Sequence, residues 1–384
     1  MKKSKTIFKL INILLLTTIF STSKTYVACE GHFYSGSGSI TVINNNELYN
    51  INDLGNTVQS LKIHNDKLFV IVNGSSLIHV YEITDLGESL LATIETGDSG
   101  PREMEIHNGY LYFTNWYSND IKYMSLNDFQ IIGEIPLDGL PEDIVSDGNY
   151  LWVAMNMNLD WTDGNTVLKI NTLTNEIEEY TVGDGPKNLL VHNGDVYISR
   201  TYYDLDWNTY HGTSRINEDG SIEQMNYGYG LACGGSIMVY NNQIYRSFDG
   251  GIAPLDDSLN IQESLRIGDY GYWNVYDVKT IDNNVYIAIT DWNELHKAAI
   301  LNSTGEEIGL YNTGIIPTDF EAWDTCVPNG DYNQDNETNI IDVIVIVEII
   351  LDSQTVELCN IDMNHDNLLN ITDVILIIDQ ILNY

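Results

Sequence analysis

Two short stretches near the C-terminus carry oxygen-bearing side chains at matched offsets: GDYNQDNETNIID, residues 330–342, and NIDMNHDNLLNITD, residues 360–373. With Asp331 at position 1, Asn333, Asp335, Glu337, Asn339 and Asp342 fall at positions 3, 5, 7, 9 and 12. In the second stretch Asp362, Asn364, Asp366, Leu368, Asn370 and Asp373 occupy the same places. Carboxylate and amide oxygens at 1, 3, 5 and 12, with a backbone carbonyl serving at 7, are the donor set of an EF-hand-like calcium loop. The pair predicts two bound calcium ions.

A second combination recurs in the body of the chain. FTNWYSND, NLDWTDG, DLDWNTY and ITDWNE place Trp116, Trp161, Trp207 and Trp292 after alternating apolar runs, each preceded by Asn115, Asp160, Asp206 or Asp291. An indole beside such an oxygen can stack on a sugar ring while the oxygen takes its hydroxyls, or enclose a cation. The structural alternative is an indole packed between repeats, with the Asp capping its own turn. Polar pairs also follow a proline: Arg102 with Glu103, Glu142 with Asp143, Lys187 with Asn188, and Thr318 with Asp319. Gathered around one channel mouth, they either bind a glycan or small molecule or neutralise one another. His64, His107 and His192 recur in IHND, IHNG and VHNG and read as solvent-exposed turn residues.

Each acidic loop runs into one apolar segment, VIVIVEIIL or VILIIDQIL. Periodicity alone reads the first as a buried strand, but a preceding calcium loop favours a helix. GDYNQDNETNIIDVIVIVEIIL and IDMNHDNLLNITDVILIIDQIL together resemble the duplicated dockerin domain, with Asp at position 12 and one helix after each loop. The resemblance covers residues 331–384 and implies a small all-α calcium-binding module that attaches to a protein partner. Positions 10 and 11 hold Ile340 and Ile341, then Ile371 and Thr372, and neither helix carries Lys or Arg. Cohesin-binding dockerins are polar there, so a cohesin-type partner does not suit these residues. The helices are apolar over more than one stripe, which leaves a face for the propeller-sized remainder of the chain or a partner protein.

Between about residues 33 and 323 one pattern repeats, clearest in GPREMEIHNGYLYFTN, LPEDIVSDGNYLWVAMN and GPKNLLVHNGDVYISR. The first apolar residue after each hairpin turn is Leu68, Leu111, Leu151, Val196, Ile244 and Val285, giving spacings of 43, 40, 45, 48 and 41. Four short alternating strands per unit at that period indicate an all-β propeller. SGSITVINNNELYNI supplies two more strands and IPTDFEAW one, which predicts a composite seventh blade; six blades is the alternative count. The G-x-x-P start and L-Y-V-x-N-like second strand resemble the YVTN and NHL-type propellers, which include streptogramin lyase-like enzymes. That resemblance implies His and Glu on the ligand face, and His211 in TYHGTS, a long-loop histidine, and His296 are the candidates. No G-x-S-x-G elbow, Walker loop, H-E-x-x-H or paired Cys and His motif is present, so no catalytic residue is assigned.

The chain has 384 residues with 17 Lys and Arg against 55 Asp and Glu, a net charge of −38 that repels nucleic acid and attracts cations. MKKSKTIFKLINILLLTTIFSTSKTYVAC reads as a secretory signal peptide, too short to span a membrane and followed by no further apolar stretch of spanning length. The expected organisation is a signal peptide over 1–28, a β-propeller over 29–325 and a dockerin-like domain over 326–384. Export to the cell surface, the medium or the periplasm makes disulfides plausible, with Cys326 and Cys359 as the favoured pair among Cys29, Cys233, Cys326 and Cys359. The reading is a secreted calcium-binding recognition or scaffold protein. The alternative is a secreted propeller lyase or hydrolase acting on polysaccharide or a lactone-like substrate.

Overall fold

The computed structural model describes residues 23–33, 35–44, 47–229, 235–281, 283–324, 328–333, 338–352, 360–363 and 369–382. It divides into two compact units, which are a propeller and a helix pair.

The larger unit, Lys24–Trp323, consists of seven antiparallel sheets. Blades 1 to 6 occupy residues 58–95, 101–136, 140–181, 186–229, 237–254 and 275–312 in chain order. The first strand of every sheet lines one central cavity, which defines the propeller axis. Strands next to the axis are covered on both faces by neighbouring blades, so Lys67–Val72, KLFVIV, is buried at every position after the first. Outer strands alternate instead, as in Ile177–Thr181, which is mostly exposed. Between blades 1 and 2 the seam has an apolar core, with Phe69, Ile71, Ile78, Val80, Met104 and Phe113 in one cluster. Burying each such side chain is worth roughly 2–3 kcal/mol.

Blade 7 closes the ring. Its order is Pro317–Asp324, Ser23–Cys29, Gly38–Asn44 and Glu47–Gly55, so three strands come from the N-terminal side and one from the C-terminal side. The two N-terminal strands expected from SGSITVINNNELYNI are joined by a third, KTYVAC, which the sequence reading had assigned to a signal peptide over 1–28. Tyr26, Val27, Ala28 and Cys29 are fully buried there, and residues 1–22 lie outside the described ones. The larger unit takes in these residues from Lys24 onward. Lys24 is itself buried. Its ammonium donates to Glu88 Oε1 at 2.9 Å and to the Thr84 carbonyl at 2.6 Å, tying blade 7 to blade 1. Tyr26 and Tyr49 hydroxyls donate to the same carboxylate. The Trp323 indole adds a bond to Asp66 Oδ1.

Blade 5 has three strands. Its third ends at Pro254, and a lone bridge between Ile252 and Ile267 stands where a fourth strand runs elsewhere. Cys29 is a free, buried thiol, whereas Cys233, Cys326 and Cys359, with the expected Cys326 to Cys359 bridge, lie outside the described residues.

In the smaller unit α1 (Ile340–Asp352) and α2 (Ile371–Leu382) share a core of Val343, Ile346, Ile361, Val374 and Ile377. VIVIVEIIL is therefore helical despite its β-branched run, because Asp342 starts the helix by tying down the loop before it. Asp342 Oδ1 accepts from the Tyr332 and Asn333 amides, and Oδ2 from the Asn339 amide. Asp373 does the same for Met363 and Asn370. No helix of the described residues is long and apolar enough to cross a membrane.

Replacing Glu88 with Ala leaves Lys24 buried without its counter-charge, and such losses run to about 3–5 kcal/mol. Urea unfolding of the Glu88→Ala chain should show a loss of that order. A change below 0.5 kcal/mol, the ordinary range for surface sites, would contradict the closure described here.

Candidate functional site

In blades 1, 2, 3, 4 and 6 the inner strand enters the channel through a bulge. In blade 2 the register slips between Pro101 and Met104, in blade 3 between Pro141 and Ile144, and in blade 4 between Pro186 and Leu189. The extra residue turns two consecutive side chains toward the axis, which is why the pairs after each proline converge. Arg102, Glu103, Glu142, Asp143, Lys187, Asn188, Thr318 and Asp319 all line one polar cavity of roughly 270 Å³. Gln59, Lys62, Ser236, Tyr276, Asp277 and Lys279 line it too, in blades 1, 5 and 6, which lack the proline marker, as does Glu105 of blade 2, which stands outside the pair that follows Pro101. A constant offset would have found most of them. Pro101, Pro141 and Pro186 stand ten residues before Leu111, Leu151 and Val196, and the same step back from Leu68 and Val285 lands on Val58 and Val275.

Most of these charges neutralise one another across blade boundaries. Arg102 forks onto Glu142, with Nε to Oε2 at 3.0 Å and Nη2 to Oε1 at 2.6 Å, and its Nη1 reaches Gln59 Oε1 at 3.1 Å. Lys62 pairs with Glu105 at 2.8 Å, and Lys279 with Asp319 at 3.0 Å and Glu321 at 2.9 Å. Carboxylates also staple backbone: Asp143 Oδ2 accepts from the Leu189 amide of blade 4, and Asp319 Oδ2 from the Leu61 amide of blade 1. Ser236 Oγ donates to Asp277 and accepts from the Val278 amide.

Crowding of acids in a desolvated channel shifts their protons. Burial, then the neighbouring Asp319 and Asp143 charges, holds the Glu103 carboxyl well above its usual range. Burial pushes Asp143 up to about 7 against the opposing pull of its two amide donors, and Asp277 up to about 6. Protonated and ionised carboxyls can donate to and accept from ligand hydroxyls.

The tryptophans stand at the rim. Trp116 is half-buried under the Arg102 guanidinium, 4.5 Å from ring centre to Cζ, and meets Trp161 edge-on at 5.8 Å. Trp292 meets the channel residue Tyr276 at 4.9 Å, and Trp207 meets Tyr203 at 6.0 Å. Trp161, Trp207 and Trp292 are 54%, 75% and 48% exposed, so they do not pack between blades. Their partners behave differently. Asp291 Oδ1 caps the amides of Asn293, Glu294 and Leu295, and Asp160 caps Thr162, whereas Asp204 rather than Asp206 caps the Trp207 turn. Asn115 is buried and bonded to Ser99 and Asp120. Trp161, Trp207 and Trp292 share a left-handed backbone, with φ of 65°, 62° and 64°.

The histidines depart from expectation. His107 is buried, with Nδ1 2.8 Å from Ser146 Oγ in the next blade, so it is a blade-seam residue and not an exposed turn tip. His64 and His192 are half-buried. His211 lies within the strand Thr209–Ile216, not in a long loop, and is 1% exposed. Burial and the nearby Arg246 and Lys187 charges lower it to about 3. His296 opens the strand His296–Leu301, against Thr290.

Among the expected calcium ligands, Asp335, Glu337, Asn364, Asp366 and Leu368 lie outside the described residues. Asp331, Asp342, Asp362 and Asp373 are buried. Among the described residues no group of three or more His, Cys, Asp or Glu is disposed to hold a metal.

Neither a family model nor a curated protein matches the chain. Solved structures match its fold. A hypothetical selenium-binding protein from Sulfolobus tokodaii aligns with TM-score 0.60 at 12% identity, covering 79% of this chain and 94% of that one. A putative 6-phosphogluconolactonase from Bacteroides fragilis aligns with TM-score 0.55 at 14% identity, covering 80% and 99%. Apo AztD from Citrobacter koseri aligns with TM-score 0.52 at 12% identity, covering 79% and 99%. At such identities the likeness establishes the propeller scaffold.

A carboxyl whose pKa is higher folded than unfolded favours folding below its unfolded value and loses that contribution as pH rises through the folded one. Asp143 should therefore make the propeller less stable as pH climbs from about 4 to 7. Urea midpoints for Asp143→Asn should fall less steeply over that window than those of the unaltered chain; identical slopes would contradict the shifted carboxyl.

Proposed function

We propose that this protein is a secreted recognition propeller that binds a glycan across its channel mouth, with a calcium-loaded helix pair attaching it to a protein partner. The observation that carries the glycan reading is the repeated exposed indole. An L-residue in the left-handed region costs on the order of 1–2 kcal/mol, and a solvent-facing indole forgoes burial. Three blades repeat both features at the same turn. Folding alone does not reward that arrangement, whereas stacking on sugar rings does. Inside the rim, Glu103, Asp143 and Asp277 supply oxygens that suit hydroxyls.

Calcium suits the chemistry of the second unit. Residues 324–384 contain twelve Asp and Glu and no Lys or Arg, yet Asp331, Asp342, Asp362 and Asp373 are buried. A buried carboxylate requires a counter-charge, and the segment supplies none of its own. Asp331, Asn333, Asn339 and Asp342, with their counterparts Asp362, Asn370 and Asp373, would hold the ions, joined by the expected ligands at the intervening positions. The bound metal would supply positive charge that lets the loops stay ordered. The helices expose Ile340, Ile341, Ile344, Ile371 and Ile375, an apolar surface suited to a partner unlike the polar-seeking cohesins. The apolar leader within residues 1–22 supports export.

Binding to a glycan array should be lost when Trp161, Trp207 and Trp292 are all replaced by Ala, with the melting temperature unchanged; retained binding would remove these residues from the ligand site. Calorimetry on the full chain should count two calcium ions, reduced to none by Asp342→Ala with Asp373→Ala. Equal calcium uptake by both chains would sink the metal reading.

A further inference from the structure

On the face opposite the tryptophan rim, two seams between blades are closed by hairpin tips, His107-Asn108 in blade 2 and Tyr240-Asn241 in blade 5. The first residue of each tip bonds across its seam. His107 Nδ1 lies 2.8 Å from Ser146 Oγ, and the Tyr240 hydroxyl donates to the Asn302 carbonyl at 2.7 Å. The second residue sends its amide to the turn after the third strand of the next blade. Asn108 donates to Thr172 Oγ1 at 3.3 Å, and Asn241 to the Ser303 carbonyl at 2.8 Å.

In blade 3 the same two positions are Asp147 and Gly148. Asp147 turns back on its own blade, where it accepts from the Asn149 and Tyr150 amides and the Trp152 indole. Gly148 has no side chain to send, and a Cβ there would meet nothing within 4 Å. Where Thr172 and Ser303 stand in the other seams, blade 4 has Glu218. Its exposed carboxylate has no hydrogen bond or ion pair among the described residues.

The seam between blades 3 and 4 therefore stays open at this face, around a cavity of roughly 320 Å³ that is larger than the one in the channel. Trp152 and Tyr180 line it, their ring centres 5.4 Å apart, beside Val191 and Val196. Lys169 and Glu218 bring charges of opposite sign to the same cavity. The Lys169 ammonium rests 4.3 Å from the Tyr150 ring centre and 5.0 Å from that of Trp152. It makes no ion pair among the described residues, and Glu178, its partner in the ladder, takes the Tyr180 hydroxyl instead.

A cation, a carboxylate and an aromatic wall around so small a space suit a ligand with both charges and one ring. A free anion would meet the field of a chain of net charge −38, whereas a zwitterion brings no net charge. We propose that the open seam between blades 3 and 4 binds a free aromatic α-amino acid, with its carboxylate on Lys169, its ammonium on Glu218 and its ring against Tyr180 and Trp152. This site is separate from the glycan site and does not rest on it.

Calorimetry on the full chain with L-phenylalanine, L-alanine, 3-phenylpropanoate and phenethylamine tests this. Phenylalanine should bind more tightly than each of the others, which lack the ring, the ammonium and the carboxylate in turn, by roughly tenfold or more. Lys169→Met keeps an apolar stem over the two rings and should weaken phenylalanine by a similar factor. Gly148→Asn gives blade 3 the side chain that bridges the seam in blades 2 and 5, and should abolish binding without lowering the melting temperature. No binding of phenylalanine, or binding that Lys169→Met and Gly148→Asn both leave unchanged, overturns the site. Binding of 3-phenylpropanoate as tight as that of phenylalanine overturns the zwitterion assignment.

Discussion

The strand Ser23–Cys29 lies between Pro317–Asp324 and Gly38–Asn44, and through that sheet the two ends of the propeller hold the ring shut. Every other feature depends on it. Inner strands such as KLFVIV are apolar on both faces and stay buried only while each blade has two neighbours. The lysine that reinforces closure has left water completely, and one carboxylate, Glu88, answers it and two tyrosine hydroxyls. Closure thus combines an apolar seam, which supplies most of the stability, with a charged clasp whose geometry selects the correct pairing of chain ends.

A closed ring fixes the axis, and the axis concentrates charge. Seven blades bring polar side chains to one cavity, where isolated charges would be unfavourable. Pairing across blade boundaries resolves most of this, through Arg102 with Glu142, Lys62 with Glu105, and Lys279 with Asp319 and Glu321. Asp143 resolves it by holding its proton to about 7 and by stapling Leu189. The same residues hold the ring together and line its mouth.

Much of this was legible in the chain. Spacings in the forties indicated the blades, and the proline-marked pairs gave half of the polar residues of the channel wall. Tyr276 and Asp277 were missed because Val275 stands where proline stands elsewhere, although the bulge needs no proline. KTYVAC was hidden by the apolar run it follows: its alternation belongs to a strand, but its position suggested the end of an export signal. His107 misled because a turn motif says nothing of the blade that packs against it, and Ser146 arrives from a different repeat. The tryptophan rim was found from residue types alone, while its exposure and shared φ near 64° emerged only once the turns were placed. Helicity in VIVIVEIIL was legible through the Asp342 loop and not through periodicity.

The proposed glycan site joins the indole rim to the polar channel mouth. A crystal structure of the chain soaked with an oligosaccharide tests it most directly. Sugar rings lying against Trp161, Trp207 or Trp292, with hydroxyls directed to the channel carboxyls, are the predicted result. Sugar density confined to the outer strands or to the helix pair, with the channel mouth empty, would contradict it.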